Sequence, residues 1–247
     1  MSRRRFFTDP VRSGVAELHG EDARHLTRVL RVQPGQQFEI SDNSAVYLAE
    51  IAEARGETVR FRVLEPLPSP PPPLRLVLVA SLVKFDRFEW MVEKATELGV
   101  ESIQPVESAR SEKGLLEASR KRIERWRRIA REAAQQSRRA CLPEILPAIR
   151  LEQALRSAPQ SALRYFLEET SAPPLLRVLP ETRSSSDLAA VLLGPEGGWT
   201  DDERARAAAA GWQPVSLAPL VLRAETAAAA ALAILANAWM AAPPTAP

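Results

Sequence analysis

The chain has 247 residues, 45% hydrophobic and 26% charged, with a formal net charge of +2, enough for one large or two small domains with a real core. One cysteine and two histidines exclude a disulfide framework and a multi-cysteine metal site, so no metal is expected. MSRRRFF at the start has charge but no apolar run behind it, and the apolar stretch near the end is mostly alanine and broken by Asn237. Neither a signal peptide nor a membrane span is expected, and a cytoplasmic protein is.

Residues 1–67 carry alternating segments, FEISDN, VYLAEIAEA and TVRFRVLEP, separated by turn residues, which predicts a small β-barrel. Between them Leu26, Val29 and Leu30 share helical spacing, with Arg24, His25, Arg28 and Arg31 opposite and Arg3, Arg4, Arg5 and Arg12 nearby. Such a face is either merely solvated or a phosphate-binding surface, since guanidinium groups grip phosphate oxygens in pairs. Prolines over 68–73 then read as a stiff linker, the cleanest domain boundary in the chain. Beyond it, 74–247 is expected to form an α/β domain. LRLVLVASL is apolar enough for the middle of a parallel sheet. FDRFEWMVEKATELGV puts Phe85, Phe88, Met91, Val92, Ala95 and Leu98 on one helical face, with Gly99 to end the helix. Ile103 and Val106 lie on the next strand, and Arg110 sits in a loop after it.

From Arg120 to Arg139 there are nine basic residues against two acidic ones. The pattern is read as one helix with a buried stripe of Ile123, Trp126, Ala130 and Ala133 and a positive face for nucleic acid that includes Arg125, Arg128 and Arg139. RYFLE, Arg164 to Glu168, is a further strand. Leu192 and Leu193 end another, which runs into the turn GPEGG. Thr200 follows as an N-cap with Glu203 three residues on, a capping box. Strand, glycine turn and helix start is the layout by which α/β proteins hold a ligand at a strand's carboxyl end, yet the same pattern serves an ordinary connection. No P-loop and no dinucleotide fingerprint is present. Val215 and Leu217 end a last strand, and from about Ala224 an alanine-rich helix begins, with Arg223, Glu225 and Thr226 at its mouth.

GPEGG followed by SLAPLVLRAETAAAAA resembles the last two motifs of the SPOUT methyltransferases, and more narrowly the RsmE type, the small-subunit ribosomal RNA uridine N3-methyltransferases. HLTRVLRVQPGQQFEI, KFDRFEWMVEKATELGVESIQPVESARS and REAAQQSRRACLPEI are similar to three further blocks of that family, in the family's order. Ala218 stands where the family has Gly, Ala224 where it has Thr, and Gln135 to Arg139 depart from its Glu-Gln-Ser-Gly-Arg. The resemblance implies a PUA-like barrel followed by a SPOUT domain, a mainly parallel sheet closed by a C-terminal trefoil knot. It implies S-adenosyl-L-methionine as cofactor, held by Leu167, Glu168, the turn Leu193, Gly194, Pro195, Glu196, Gly197 and Gly198, and by Ser216, Leu217, Leu220, Leu222 and Thr226. The implied substrate is 16S ribosomal RNA or the assembled small subunit, and the alanine-rich helix would pair two copies in a homodimer. The uridine N3 proton leaves near pH ~10, as a phenol's does. A cation beside O2 or O4 would lower that value, and Arg223 is the candidate. Glu225 is either the proton acceptor or the group that orients Arg223. Two other readings stay open: a ribose 2′-O-methyltransferase of the same superfamily, separated by mass spectrometry of the modified nucleoside, and a non-catalytic RNA-binding assembly factor, separated by calorimetry with the cofactor.

Overall fold

The computed structural model describes residues 5–159, 161–169 and 171–241. The chain divides into two compact units, one running to Pro70 and taking in Arg131–Leu142, the other formed by Pro71–Ala130 and Pro143 onward.

In the first unit, β1 (Arg5–Phe7), β2 (Val15–His19), β3 (Gln37–Ser41), β4 (Val46–Arg55) and β5 (Thr58–Leu67) form a sheet of order β1-β3-β4-β5-β2. β1 runs parallel to β3 and the other pairs are antiparallel. One backbone bond, Asp9 N–H to Glu17 O at 2.9 Å, reaches from the end of β1 to β2, so the expected barrel is a half-barrel whose edges meet at a point. Alternate residues of the strands, with Phe6, Leu18, Ile40, Ile51 and Phe61 foremost, fill its core. The helical segment after β2 changes character midway. α1 (Gly20–Arg24) passes into a π-helical turn over His25–Val29, where Leu30 N–H bonds His25 O at 3.0 Å. Leu26 is buried, but Val29 and Leu30 are exposed, because the wider turn rotates them off the core stripe that an α-helix would have kept. Arg131–Leu142 joins this unit through polar contacts. Arg131 Nε and Gln135 Nε2 both donate to Asp22 Oδ2, at 2.7 and 2.8 Å, and Ser41 Oγ donates to Ala140 O.

The second unit contains β6 (Arg75–Ser81), α2 (Phe85–Glu97), β7 (Ser102–Glu107), α3 (Leu115–Ser119), the start of α4 (Ile123–Gln136), β8 (Glu144–Ile145), β9 (Ile149–Arg150), α5 (Leu151–Ser157), β10 (Leu163–Leu167), β11 (Leu188–Leu193), α6 (Asp201–Ala209), β12 (Gln213–Val215) and α7 (Ala224–Met240). The strands form one seven-stranded sheet of order β12-β10-β11-β6-β7-β8, with β9 beside β7, and every pairing is parallel. β11 shows why its run is apolar throughout. Ala189, Val191 and Leu193 face the core that α2 and α7 cover, and Ala190 and Leu192 face the core that Trp199 and Trp212 cover, so both faces are buried. The expected helix at Phe85 is α2, ended at Gly99 with φ +90°. The basic stretch is not one helix: α4 spans only Ile123–Gln136, which leaves Arg120–Arg122 in the turn before it and Arg138 and Arg139 beyond its end. Among the described residues no helix is long and apolar enough to cross a membrane and no side-chain group suited to a metal ion occurs.

Candidate active site

Because β10, β11 and β12 are parallel neighbours, their carboxyl ends, at Leu167, Leu193 and Val215, come to one edge of the sheet. The segments that leave them enclose a cavity of about 350 Å³, within the roughly 300–1,000 Å³ of small-molecule sites. The turn after β11 forms one wall and owes its shape to local contacts. Thr200 caps α6 by accepting the Glu203 N–H, while the Glu203 carboxylate accepts the Thr200 N–H at 2.9 Å and the Ala109 N–H at 2.7 Å. Trp199 is 2% exposed, stacks on Phe166 at 4.9 Å and donates its indole N–H to Leu167 O at 3.0 Å. That bond pins the end of β10 to the turn after β11. Gly198 has φ +67°, and a Cβ there would stand 2.4 Å from Glu169 Oε1; Gly194 lies under the Trp199 ring, where a Cβ would stand 2.9 Å from Cε2. Bare backbone is needed at both positions. Leu217, Leu220 and Leu222 from the segment before α7 supply an apolar wall opposite.

The charged side chains on the cavity fall into two kinds. Glu196 is ion-paired with Arg87 of α2, and Glu168, whose side chain is 5% exposed, is held by Arg204 at 2.6 Å. The bond to Glu168 raises the Arg204 pKa, so the guanidinium is held charged beside that carboxylate. Glu169 and Arg223 also line the cavity and form no ion pair among the described residues. Arg223 is the N-cap residue of α7, exposed and in extended backbone. It contacts neither Glu225 nor Glu196 as an ion pair, so the orienting role for Glu225 has no contact behind it. Glu225 lies in the first turn of α7 and does not line the cavity, and its buried Oε2 has no hydrogen-bond partner among the described residues.

Residues 70–236 match the model of the RNA methyltransferase domain, and residues 18–64 match that of the RNA methyltransferase PUA domain. The chain is 36% identical to ribosomal RNA small subunit methyltransferase E of Synechocystis, over 88% of this chain and 70% of that protein. It is 34% identical to the protein of that name in Mycobacterium bovis, over 95% of this chain and 92% of the other. The crystal structure of ribosomal RNA small subunit methyltransferase E from Neisseria gonorrhoeae bound to S-adenosyl methionine superposes with a TM-score of 0.86 at 31% identity, covering 96% of this chain and 98% of that one. The chain belongs to the ribosomal RNA small subunit methyltransferase E family.

Against that family's expected cofactor residues, Leu167, Glu168, Leu193, Gly194, Pro195, Glu196, Gly198, Leu217, Leu220 and Leu222 line the cavity. Gly197, Ser216 and Thr226 do not. Gly197 O instead accepts from Arg110 at 2.7 Å, and Ser216 Oγ donates to Ala172 O. Thr226 points outward from α7. Arg87, Glu169 and Trp199 are cavity residues that sequence reasoning did not assign; a tryptophan between a glycine turn and an N-cap was the one local signal available. Of the residues expected to meet RNA, Arg3 and Arg4 lie outside the described residues. Arg5 is 11% exposed in its side chain, bonded to Glu39 and to Arg138 O. Arg24 pairs with Glu57, Arg110 holds the Gly197 carbonyl, and Arg125 makes two bonds to Glu89. Arg139 donates to Cys141 O, Arg128 is exposed, and Arg28 is exposed and without an ion pair among the described residues.

Proposed function

We propose that the protein methylates N3 of a uridine in 16S ribosomal RNA, with the cavity at the ends of β10, β11 and β12 as the cofactor site. S-adenosylmethionine supplies a methyl group on a sulfonium, so a carbon–sulfur bond breaks as the N3–carbon bond forms and the N3 proton departs. The residues present suit that group. Leucines offer a face for an adenine, and the backbone at Gly194 and Gly198 is bare. The left-handed backbone at Gly198, φ +67°, disfavours any side chain there. The carrying observation is Arg223, a guanidinium at the cavity wall that no carboxylate neutralises among the described residues. Placed at a uridine carbonyl, it would stabilise the N3 anion and lower its pKa. Glu225 does not line the cavity, so it would take the N3 proton only by way of an intervening water.

The family model for the PUA domain supports RNA binding by the first unit, and its exposed Arg28 is the best-placed phosphate contact. A deep trefoil knot accords with the last turn lining the same cavity as the GPEGG turn while α7 packs on α2. A homodimer accords with α7, whose outward face carries the exposed Ala233 and Met240. A ribosomal RNA substrate accords with a cytoplasmic protein. The test is nucleoside analysis of 16S RNA, or of small subunits, after incubation with the protein and labelled cofactor. Label in N3-methyluridine supports the reading. Label on a ribose would favour 2′-O-methylation, and cofactor binding without transfer would favour an assembly factor.

A further inference from the structure

Five charged side chains line the cavity: Arg87, Glu168, Glu169, Glu196 and Arg223. Glu196 is taken up by Arg87 and Glu168 by Arg204. Resting on the cofactor reading above, Arg223 has a task at the acceptor base. Glu169 has none. Its carboxylate has no ion-pair partner among the described residues and lies against the turn, with Oε1 2.4 Å from where a Cβ on Gly198 would be. The open side of Gly198 is therefore the side that presents a negative charge to the cavity. We infer that Glu169 is a specificity residue that reads the positive sulfonium of the cofactor and so lets the site tell S-adenosylmethionine from its neutral thioether product.

The chemistry behind this is charge balance. Cofactor and product share the adenine, the ribose hydroxyls, the ammonium and the carboxylate, and they differ in a methyl group and one positive charge. Apolar walls and backbone groups cannot sense that charge. A carboxylate not already neutralised can, by a Coulomb attraction that is screened where the group is exposed and grows as the ligand excludes water. Glu168 and Glu196 are poor candidates for the same work because each already faces a guanidinium. Without such a charge the product would bind about as well as the cofactor and would occupy the site after each turnover.

The test is isothermal titration calorimetry of the full-length protein with three ligands: S-adenosylmethionine, S-adenosylhomocysteine, and sinefungin, which carries a protonatable amine in place of the methylated sulfur. In Glu169→Gln, S-adenosylmethionine and sinefungin should each bind about fivefold more weakly while S-adenosylhomocysteine is unchanged, and Glu169→Lys should widen the gap. Glu169 is exposed, so both variants should keep the wild-type circular dichroism spectrum. Equal weakening of all three ligands would mean that Glu169 bonds the ribose or the ammonium, and no change in any would mean that it reads nothing; either overturns the inference alone. A wild-type protein that binds none of the three overturns the cofactor reading and the inference with it.

Discussion

Gly194→Ala tests whether the GPEGG turn is held as rigidly as its contacts imply. The new methyl would stand 2.9 Å from Cε2, 3.0 Å from Nε1 and 3.3 Å from Cδ2 of Trp199. Gly194 is not in the left-handed region, so the backbone itself tolerates alanine and the whole effect is steric. The indole cannot turn away cheaply: it is buried, stacked on Phe166, and bonded to Leu167 O at 3.0 Å. Overpacking of this kind costs about 1–3 kcal/mol, and breaking the indole bond adds about 1 kcal/mol. A loss of about 2–4 kcal/mol corresponds to a fall in melting temperature of roughly 5–12 °C for a domain of this size. Leu167 lines the cavity, so cofactor affinity should fall as well, by about tenfold. Gly197→Ala is the control: its methyl meets Arg110 Cβ at 3.2 Å, a milder contact than that at Gly194, relieved by a shift of a few tenths of an ångström in an exposed loop, at about 1 kcal/mol or less. Thermal unfolding followed by circular dichroism, with calorimetry for the cofactor, reads both quantities. If Gly194→Ala melted with Gly197→Ala and bound the cofactor as the wild type does, the turn would be pliable and the argument from its contacts would be wrong.

Arg223→Ala should abolish methyl transfer, by about 100-fold or more, while RNA and cofactor still bind; full single-turnover rate at saturating RNA would refute the electrostatic role. Arg204→Ala should leave the nearly buried Glu168 without its cation and lower stability by about 2–3 kcal/mol, whereas Arg204→Ala with Glu168→Gln should recover part of that; chemical denaturation of both variants measures it. Burial pushes the Tyr165 phenol up to about 12, and burial with the nearby Asp42 charge raises Tyr47. The unfolded chain therefore loses these protons first, so stability should fall as pH rises from about 10 towards 12; ultraviolet titration should show the phenols ionising at higher pH in the folded protein than in urea. Arg28→Ala should weaken RNA binding and reduce the salt dependence by about one phosphate's share, with cofactor affinity unchanged.

What was legible in the sequence was what is local. The capping box of α6 needs only Thr200 and Glu203 three residues apart, and α2 needs only its apolar period and Gly99. The cavity is not local. It exists because β10 lies between β12 and β11, an order that no stretch of sequence contains. The π-helical turn was hidden for a related reason. Leu26, Val29 and Leu30 have the same spacing whether the backbone closes after four residues or five, and only the bond from Leu30 N–H to His25 O reveals which.

The basic run from Arg120 to Arg139 makes the same point about charge. Its excess of guanidinium groups was visible, but their partners are far away in sequence. Glu89 takes Arg122 and Arg125, Asp22 takes Arg131, and Glu39 takes Arg138. A guanidinium already paired with a protein carboxylate has part of its charge neutralised and some of its donors taken, so a phosphate gains less from it than from an unpaired one. Counting charge therefore overstates this stretch as an RNA surface, and subtracting the paired groups redirects attention. In the first unit Arg28 stands out, on the π-helical turn that also exposes Val29 and Leu30. In the second, the subtraction leaves Arg223 at the cavity wall. Both lie in motifs whose residue order the family resemblance had matched, and neither belongs to the run that dominates the chain's charge. A substrate anion is best met by cations that folding leaves without a carboxylate, and Arg28 and Arg223 are two of these among the described residues.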